Sequence, residues 1–359
     1  MMLQACASKG PNAQNQGFAR VAATPSKESF DSLVEDITVK KNAIVSTPRN
    51  ASAYFALGKL YSRMTEYNKA IDMIEKGLLI RPDRSEEKLQ LAKLYVKNRE
   101  YNRALDIYKS YENEYEPKWQ IQNDLANVLR EQGNYDQAYK MIQAILRDDK
   151  NNIYAMNTLA LMYYQTDRLD LAELTLQKAK KINENHSETY NNLGLIYLKK
   201  EFYQNAIEAF KTSVKKNPNL IEPRLNVAQI YMEHANFPMA IQQYEDILSI
   251  EPLHIPARIN LGYVQLNSNR TENAEQSLLN VLRIDPFQTD GLLNLASLYH
   301  HKVRDRDKAV EYYQRYLSLR SGPAYDNKDV LKELESAKKL PPKTVPSNAS
   351  NETQTRQKG

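Results

Sequence analysis

One cysteine in 359 residues, Cys6, leaves no intrachain disulfide to build and no thiolate cluster to hold a metal. Ten glycines and the lack of any Gly-rich signature leave no phosphate loop, dinucleotide fingerprint or nucleophile elbow. No apolar run approaches the roughly 18 residues that a membrane-spanning helix requires. Charge of one sign is also scarce. The formal net charge is +5, and the segments outside residues 51–325 carry most of it, which leaves the central region near +1. A partner made of nucleic acid would call for a concentrated basic stripe to displace phosphate counterions, so that class is disfavoured. The five histidines are scattered. The one adjacent pair, His300 and His301, would diverge by about 100° on an α-helix with no carboxylate placed to join them, so no metal or cofactor is expected. No catalytic constellation stands out, and the chain reads as a non-enzyme.

What the sequence has in abundance is periodicity. Ala70, Ala104, Ala138, Ala172, Ala206, Ala240 and Ala274 stand at one constant interval without an insertion. Upstream of them, always by the same offset, runs a second small series: Gly58, Ala92, Ala126, Ala160, Gly194, Ala228, Gly262 and Ala296. A small residue fixed in a long period marks where two helical backbones approach closely. Large partners keep the same phase. Tyr61, Tyr95, Tyr163, Tyr197, Tyr231 and Tyr299 follow the Gly/Ala series by three, and Ile74, Tyr108, Ile142, Leu176, Phe210, Tyr244 and Leu278 follow the alanines by four. Pro82, Pro218, Pro252 and Pro286 end second helices, and Asn68, Asn102, Asp136 and Asp170 are placed as helix caps.

These phases resemble the tetratricopeptide repeat, a helical hairpin unit of roughly 34 residues. The resemblance implies an all-α solenoid, a right-handed superhelix of eight helical hairpins beginning at Ala51, Ser85, Trp119, Ile153, Ser187, Ile221, Ile255 and Thr289. The eighth repeat departs by one residue, read as a longer turn over Val303–Asp307, which moves its alanine to Ala309 and its proline to Pro323. Flanking segments divide as a disordered tether over 1–25, an N-terminal capping helix within 26–50, the array over 51–325, a C-terminal capping helix within 326–340, and a disordered tail over 341–359.

The resemblance also implies where partners bind, because the first helix of each repeat lines the concave face. The expected lining carries an asparagine ladder, Asn192, Asn226, Asn260 and Asn294, flanked by Asn123, Asn157 and Asn191. Carboxamides both donate and accept, so such a row can pair with the backbone of an extended peptide whatever its sequence. The competing role for the same residues is local helix packing. Lys59, Arg63, Lys93 and Lys97 form a basic edge in the first repeats, and Tyr263 stands in an apolar, amide-rich second half, a division suited to a peptide with one acidic and one apolar part.

Leu3-Gln4-Ala5-Cys6-Ala7-Ser8 resembles the lipobox of bacterial lipoproteins, which makes Cys6 the expected lipidation site; the alternative is an incidental thiol. Together these features give the expectation of a scaffold binding proteins or extended peptides, lipid-anchored in the cell envelope and facing the periplasm. It would assist assembly of a surface machine such as a pilus or gliding apparatus. The second reading is a soluble cytoplasmic adaptor for peptide segments of enzymes or chaperones.

Overall fold

The computed structural model describes residues 26, 28–112, 116–321 and 326–342. Cys6, the tether before residue 26, Pro323 and the tail from residue 343 lie outside the described residues. The described residues form eighteen α-helices and one π-helical turn, with no strand among them. They fall into two compact units, 1–268 and 269–359, whose boundary lies inside the seventh repeat although the sequence period is unbroken there.

In the first unit, α1 (Phe30–Ser46) precedes six helical hairpins and one further helix. The hairpins are α2 (Ala51–Arg63) with α3 (Tyr67–Ile80), α4 (Ser85–Lys97) with α5 (Tyr101–Tyr111), and α6 (Lys118–Glu131) with α7 (Tyr135–Asp148). They continue with α8 (Ile153–Gln165) and α9 (Leu169–Ile182), α10 (Ser187–Lys199) and α11 (Tyr203–Lys216), and α12 (Glu222–Glu233) and α13 (Phe237–Ile250), before α14 (Ile255–Asn267). The second unit holds α15 (Thr271–Ile284), α16 (Thr289–Ser297), the π-turn Leu298–Val303, α17 (Arg306–Leu319) and α18 (Lys328–Lys338).

The periodic residues sit where their sizes require. All seven alanines of the first series have no exposed surface, and the large residues four positions on are buried with them. A methyl group added at Gly58 would lie 2.7 Å from Ile74, and one added at Gly194 would lie 2.5 Å from Phe210. In these two hairpins the large residue of the second helix fills the space that the glycine of the first helix leaves open. The capping helix α1 buries Leu33 and Ile37, and α18 buries Leu334 and Ala337, in keeping with their role of closing exposed apolar ends.

Each hairpin turn is built the same way. Thr65, Arg99, Gly133, Asp167, Glu201, Ala235 and Asn269 recur at the interval of the alanines, with φ between 53° and 85°. In the first six, the amide of the next residue donates to the carbonyl five positions back, as Phe202 does to Tyr197 at 2.8 Å, a Schellman closure of the first helix. The eighth repeat differs. Its left-handed residue is Arg304, one position late, and the Asp305 amide reaches back six positions to Tyr299, at 2.9 Å. The added residue is thus absorbed as a π-turn inside the first helix, and only its last part falls in the segment that the sequence marks as a lengthened turn.

The expected caps are corrected too. The second helices begin after Glu66, Glu100, Asn134 and Arg168, none of which caps through its side chain. Asn68 and Asn102 instead accept hydrogen bonds from Asn98 and Gln132 of the following repeat, at 2.7 and 2.9 Å, and Asp170 accepts from Lys200 at 2.8 Å. These side chains stitch consecutive turns together. Side-chain capping is found instead on first helices, where Asn50, Asn152 and His254 accept from the amides of Ala53, Ala155 and Ala257, and on α17, where Asp305 accepts from the amide of Lys308.

Two sets of long-range contacts complete the first unit. Arg224 and Asp246 form a buried ion pair at 3.0 Å between α12 and α13. Arg63, at the end of α2, holds Glu251 in a two-oxygen contact at 3.1 and 2.9 Å and Glu28 at 3.0 Å. Beside it the Ser26 amide donates to the Ser249 carbonyl at 2.7 Å, and the Arg258 guanidinium lies 4.3 Å from the Phe30 ring centroid. The first repeat therefore meets the end of the sixth, and the unit closes on itself.

Three stability outcomes follow from the packing. Ala206→Leu is expected to lower unfolding stability by about 1–3 kcal/mol, because the site has no room for three more carbons. Glu201→Gly is expected to raise it by roughly 1 kcal/mol, since glycine adopts the left-handed turn without the Cβ clash. Asp246→Ala is expected to cost about 3–5 kcal/mol by stripping the buried Arg224 of its carboxylate. Urea denaturation midpoints measure all three, and a neutral Ala206→Leu would contradict the assigned helix contact.

Candidate binding surface on the first helices

Residues at three- and four-residue spacing share one helix face, so Tyr154, Asn157, Thr158, Leu161, Tyr164 and Gln165 look the same way from α8. The equivalent face recurs on every first helix, at the positions where the sequence expectation places its lining residues.

The asparagines divide into two groups. Asn123, Asn157 and Asn192 are buried, and they are used by the protein itself. The Thr158 hydroxyl donates to the side-chain oxygen Oδ1 of Asn123 at 2.9 Å. Asn157 donates to the Ile153 carbonyl at 2.8 Å and to the Thr189 hydroxyl at 2.9 Å, and it accepts from Asn192 at 2.9 Å. Asn226 donates to Asn191 over 3.4 Å. Each of these cross-helix pairs joins one repeat to the next, so the ladder is a polar seam tying successive first helices. The three buried asparagines thus have, at least in part, the local packing role that the sequence expectation set against ligand binding. Asn191, Asn226, Asn260 and, in the second unit, Asn294 remain half-buried, with surface left to offer.

The basic edge is also partly answered from within. Arg63 belongs to the closure described above. Glu87 is buried beneath Arg84, whose hydrogen bonds hold its carboxyl below the usual range, and the charge of Lys59 adds to that effect. Burial raises the carboxyl of Asp124, while the charge of Lys93 pulls it back down. Lys59, Lys93 and Lys97 remain exposed, as does Tyr263, 44% of whose surface is accessible.

An aromatic row escaped the sequence reading. Trp119 stacks on Tyr154, with ring centroids 5.1 Å apart, and Tyr154 meets the His186 ring edge-on at 5.2 Å. Tyr154 keeps 48% of its surface exposed. The signal was present, since Trp119 is the single tryptophan and opens the third repeat, away from the hallmark phases. At the other end of the same helices Lys199 lies 4.8 Å from the Tyr164 ring centroid. Leu161, Leu195 and Leu198 are half-buried on these faces. The surface therefore offers flat aromatic and aliphatic contacts bordered by cations.

A stack of helical hairpins with small residues at two fixed phases defines an α-solenoid of the protein-binding kind. Models of the tetratricopeptide repeat match residues 51–84, 129–193, 187–220, 255–288 and 292–329, together more than half of the chain. The chain belongs to the tetratricopeptide repeat family, whose members bind proteins or peptides. No curated protein sequence matches it. Solved structures do: human IFIT1, as a dimer with m7Gppp-AAAA, is 18% identical over 86% of this chain and 76% of its own, with a TM-score of 0.52. Yeast Tom70 is 12% identical over 86% of each chain with a TM-score of 0.47. The C-terminal part of a repeat protein from Cytophaga hutchinsonii is 17% identical over 68% of this chain and 99% of its own, with a TM-score of 0.49. At such identities the likeness concerns the fold alone.

Asn157→Ala is expected to lower unfolding stability by about 1–3 kcal/mol, because it leaves the Thr189 hydroxyl and the Asn192 amide without their partner. An unchanged urea midpoint would return Asn157 to the ligand-binding group.

Proposed function

We propose that the chain is a non-catalytic scaffold that holds an extended peptide segment of a partner protein along the first helices of its first unit. The observation that carries this reading is the combination of exposed rings and cations on one repeated helix face: Tyr154 on its Trp119 base, Tyr263, and Lys59, Lys93 and Lys97. Aromatic side chains supply large contact area for little lost rotamer freedom, and lysines favour a ligand with acidic residues at one end. The ligand is thus an extended peptide with an acidic part facing the first repeats and an apolar part facing the later ones. Half-buried Asn191, Asn226 and Asn260 supply donors and acceptors for its backbone.

In the finer version of this reading the scaffold is lipid-anchored in a bacterial envelope through Cys6, faces the periplasm, and helps assemble a surface machine for pili or gliding. Its support is the lipobox-like segment Leu3–Ser8 and the Ala/Gln/Asn/Ser-rich stretch that follows it.

Selection of peptides from a random display library against the purified chain tests the binding claim. Selected peptides should combine acidic and apolar residues and lose at least about tenfold in affinity on Tyr154→Ala, a change of roughly 1.4 kcal/mol or more. Lys97→Ala should weaken binding in a salt-dependent way. Peptides that bind both variants as well as the parent would place the site elsewhere. Mass spectrometry of the protein purified from its own host tests the anchor: a lipid-modified Cys6 in the membrane fraction is expected, and an unmodified thiol on freely soluble protein would favour the cytoplasmic adaptor.

A further inference from the structure

The π-turn of the second unit does more than absorb a residue. On an α-helix neighbouring side chains diverge, but across this widened turn the rings of His300 and His301 stack with centroids 4.0 Å apart and planes 27° from parallel. Both then face the capping helix α18, where Glu333 presents one oxygen 3.2 Å from His300 Nδ1 and 3.1 Å from His301 Nε2. The carboxylate that the local sequence lacks is thus supplied by a different helix, α18. The donor atoms of the three residues all lie within 4.8 Å of one another. Bonds of about 2.0–2.2 Å to a tetrahedral ion set its donors roughly 3.3 Å apart, so the cluster needs only small side-chain rotations to enclose one. His300 is buried, lies edge-on to the Tyr313 ring and has the Tyr313 hydroxyl 3.4 Å from Nδ1, which fixes one ligand in place. His301 and Glu333 are open to solvent, which leaves room for water to complete the shell.

We propose that His300, His301 and Glu333 bind a first-row divalent transition ion of the zinc class, and that the ion clamps the capping helix α18 onto the last repeat. Two imidazoles with one carboxylate select such ions over magnesium or calcium, which prefer all-oxygen shells. The clamp has a structural purpose, because α18 is short and a terminal cap carries the exposed apolar end of the array. The same carboxylate oxygen already lies within 3.2 Å of a ring nitrogen of each imidazole, so the three donors are gathered in place.

The test uses the full chain without a histidine tag, freed of metal by chelation and titrated with zinc against a chromophoric chelator. One zinc per chain is expected, with His301→Ala and Glu333→Gln each weakening it at least tenfold. Both substitutions fall on solvent-accessible side chains, and circular dichroism checks that each variant keeps the parent's helical signal. Cobalt(II) in place of zinc should give visible d–d absorption that both variants lose. Zinc should also raise the thermal midpoint of the parent and leave that of Glu333→Gln unchanged. Absence of binding, or binding that both variants retain at full strength, would overturn the assignment, the second outcome by locating the ion at His186, His234 or His254.

Discussion

Two helices of this chain can approach closely only where one of them carries a hydrogen or a methyl group in place of a larger side chain. That steric constraint, repeated once in every hairpin, governs everything above it. Because Gly58 and Gly194 yield space that Ile74 and Phe210 occupy, the first and second helices of those hairpins seat against each other closely. A fixed register within each hairpin gives a fixed relation between hairpins, and side chains at one phase then fall into rows along successive first helices. The rows carry the polar seam, the aromatic platform and the remaining cations. Helix propensity alone would not align them, since stability here comes from tertiary packing of matched faces.

Accumulated rotation from repeat to repeat has a long-range result. By the sixth hairpin the chain has come round far enough for Glu251 to reach Arg63, 188 residues away in sequence. The contact is partly buried and is joined by the Ser26–Ser249 backbone bond and by Phe30 beneath Arg258, so the leading segment takes part in the closure as well.

The fold was legible in the sequence because each hallmark residue reports a local steric requirement at a fixed phase. Ala70 and its counterparts, the buried residues four positions later and the two capping helices all needed no more than periodicity to be placed. The π-turn was half legible: residue counting located one extra position near Val303, but length does not say whether a turn grows or a helix widens. The binding surface was less accessible. Periodicity puts Asn157 and Asn192 on neighbouring first helices, yet whether their amides turn toward each other or toward solvent depends on rotamers that no spacing encodes. Asn68 and Asn102 show the same limit, since cap-like position did not reveal that the following repeat would claim them. The Arg63–Glu251 contact depends on the summed geometry of intervening repeats, and Glu333 meets His300 only because α18 packs against α17.

Closure of the first unit is the central claim, since it fixes where the first repeat sits against the sixth. It is tested most directly by spin labels on Asn68→Cys and Glu222→Cys in a Cys6→Ser background, leaving Arg63 and Glu251 intact. These sites flank the meeting point, where the charge of Glu222 is felt at the Tyr67 hydroxyl. Pulsed electron–electron resonance should return one short, narrow distance. A long, broad distribution, as an open array would give, would contradict the account.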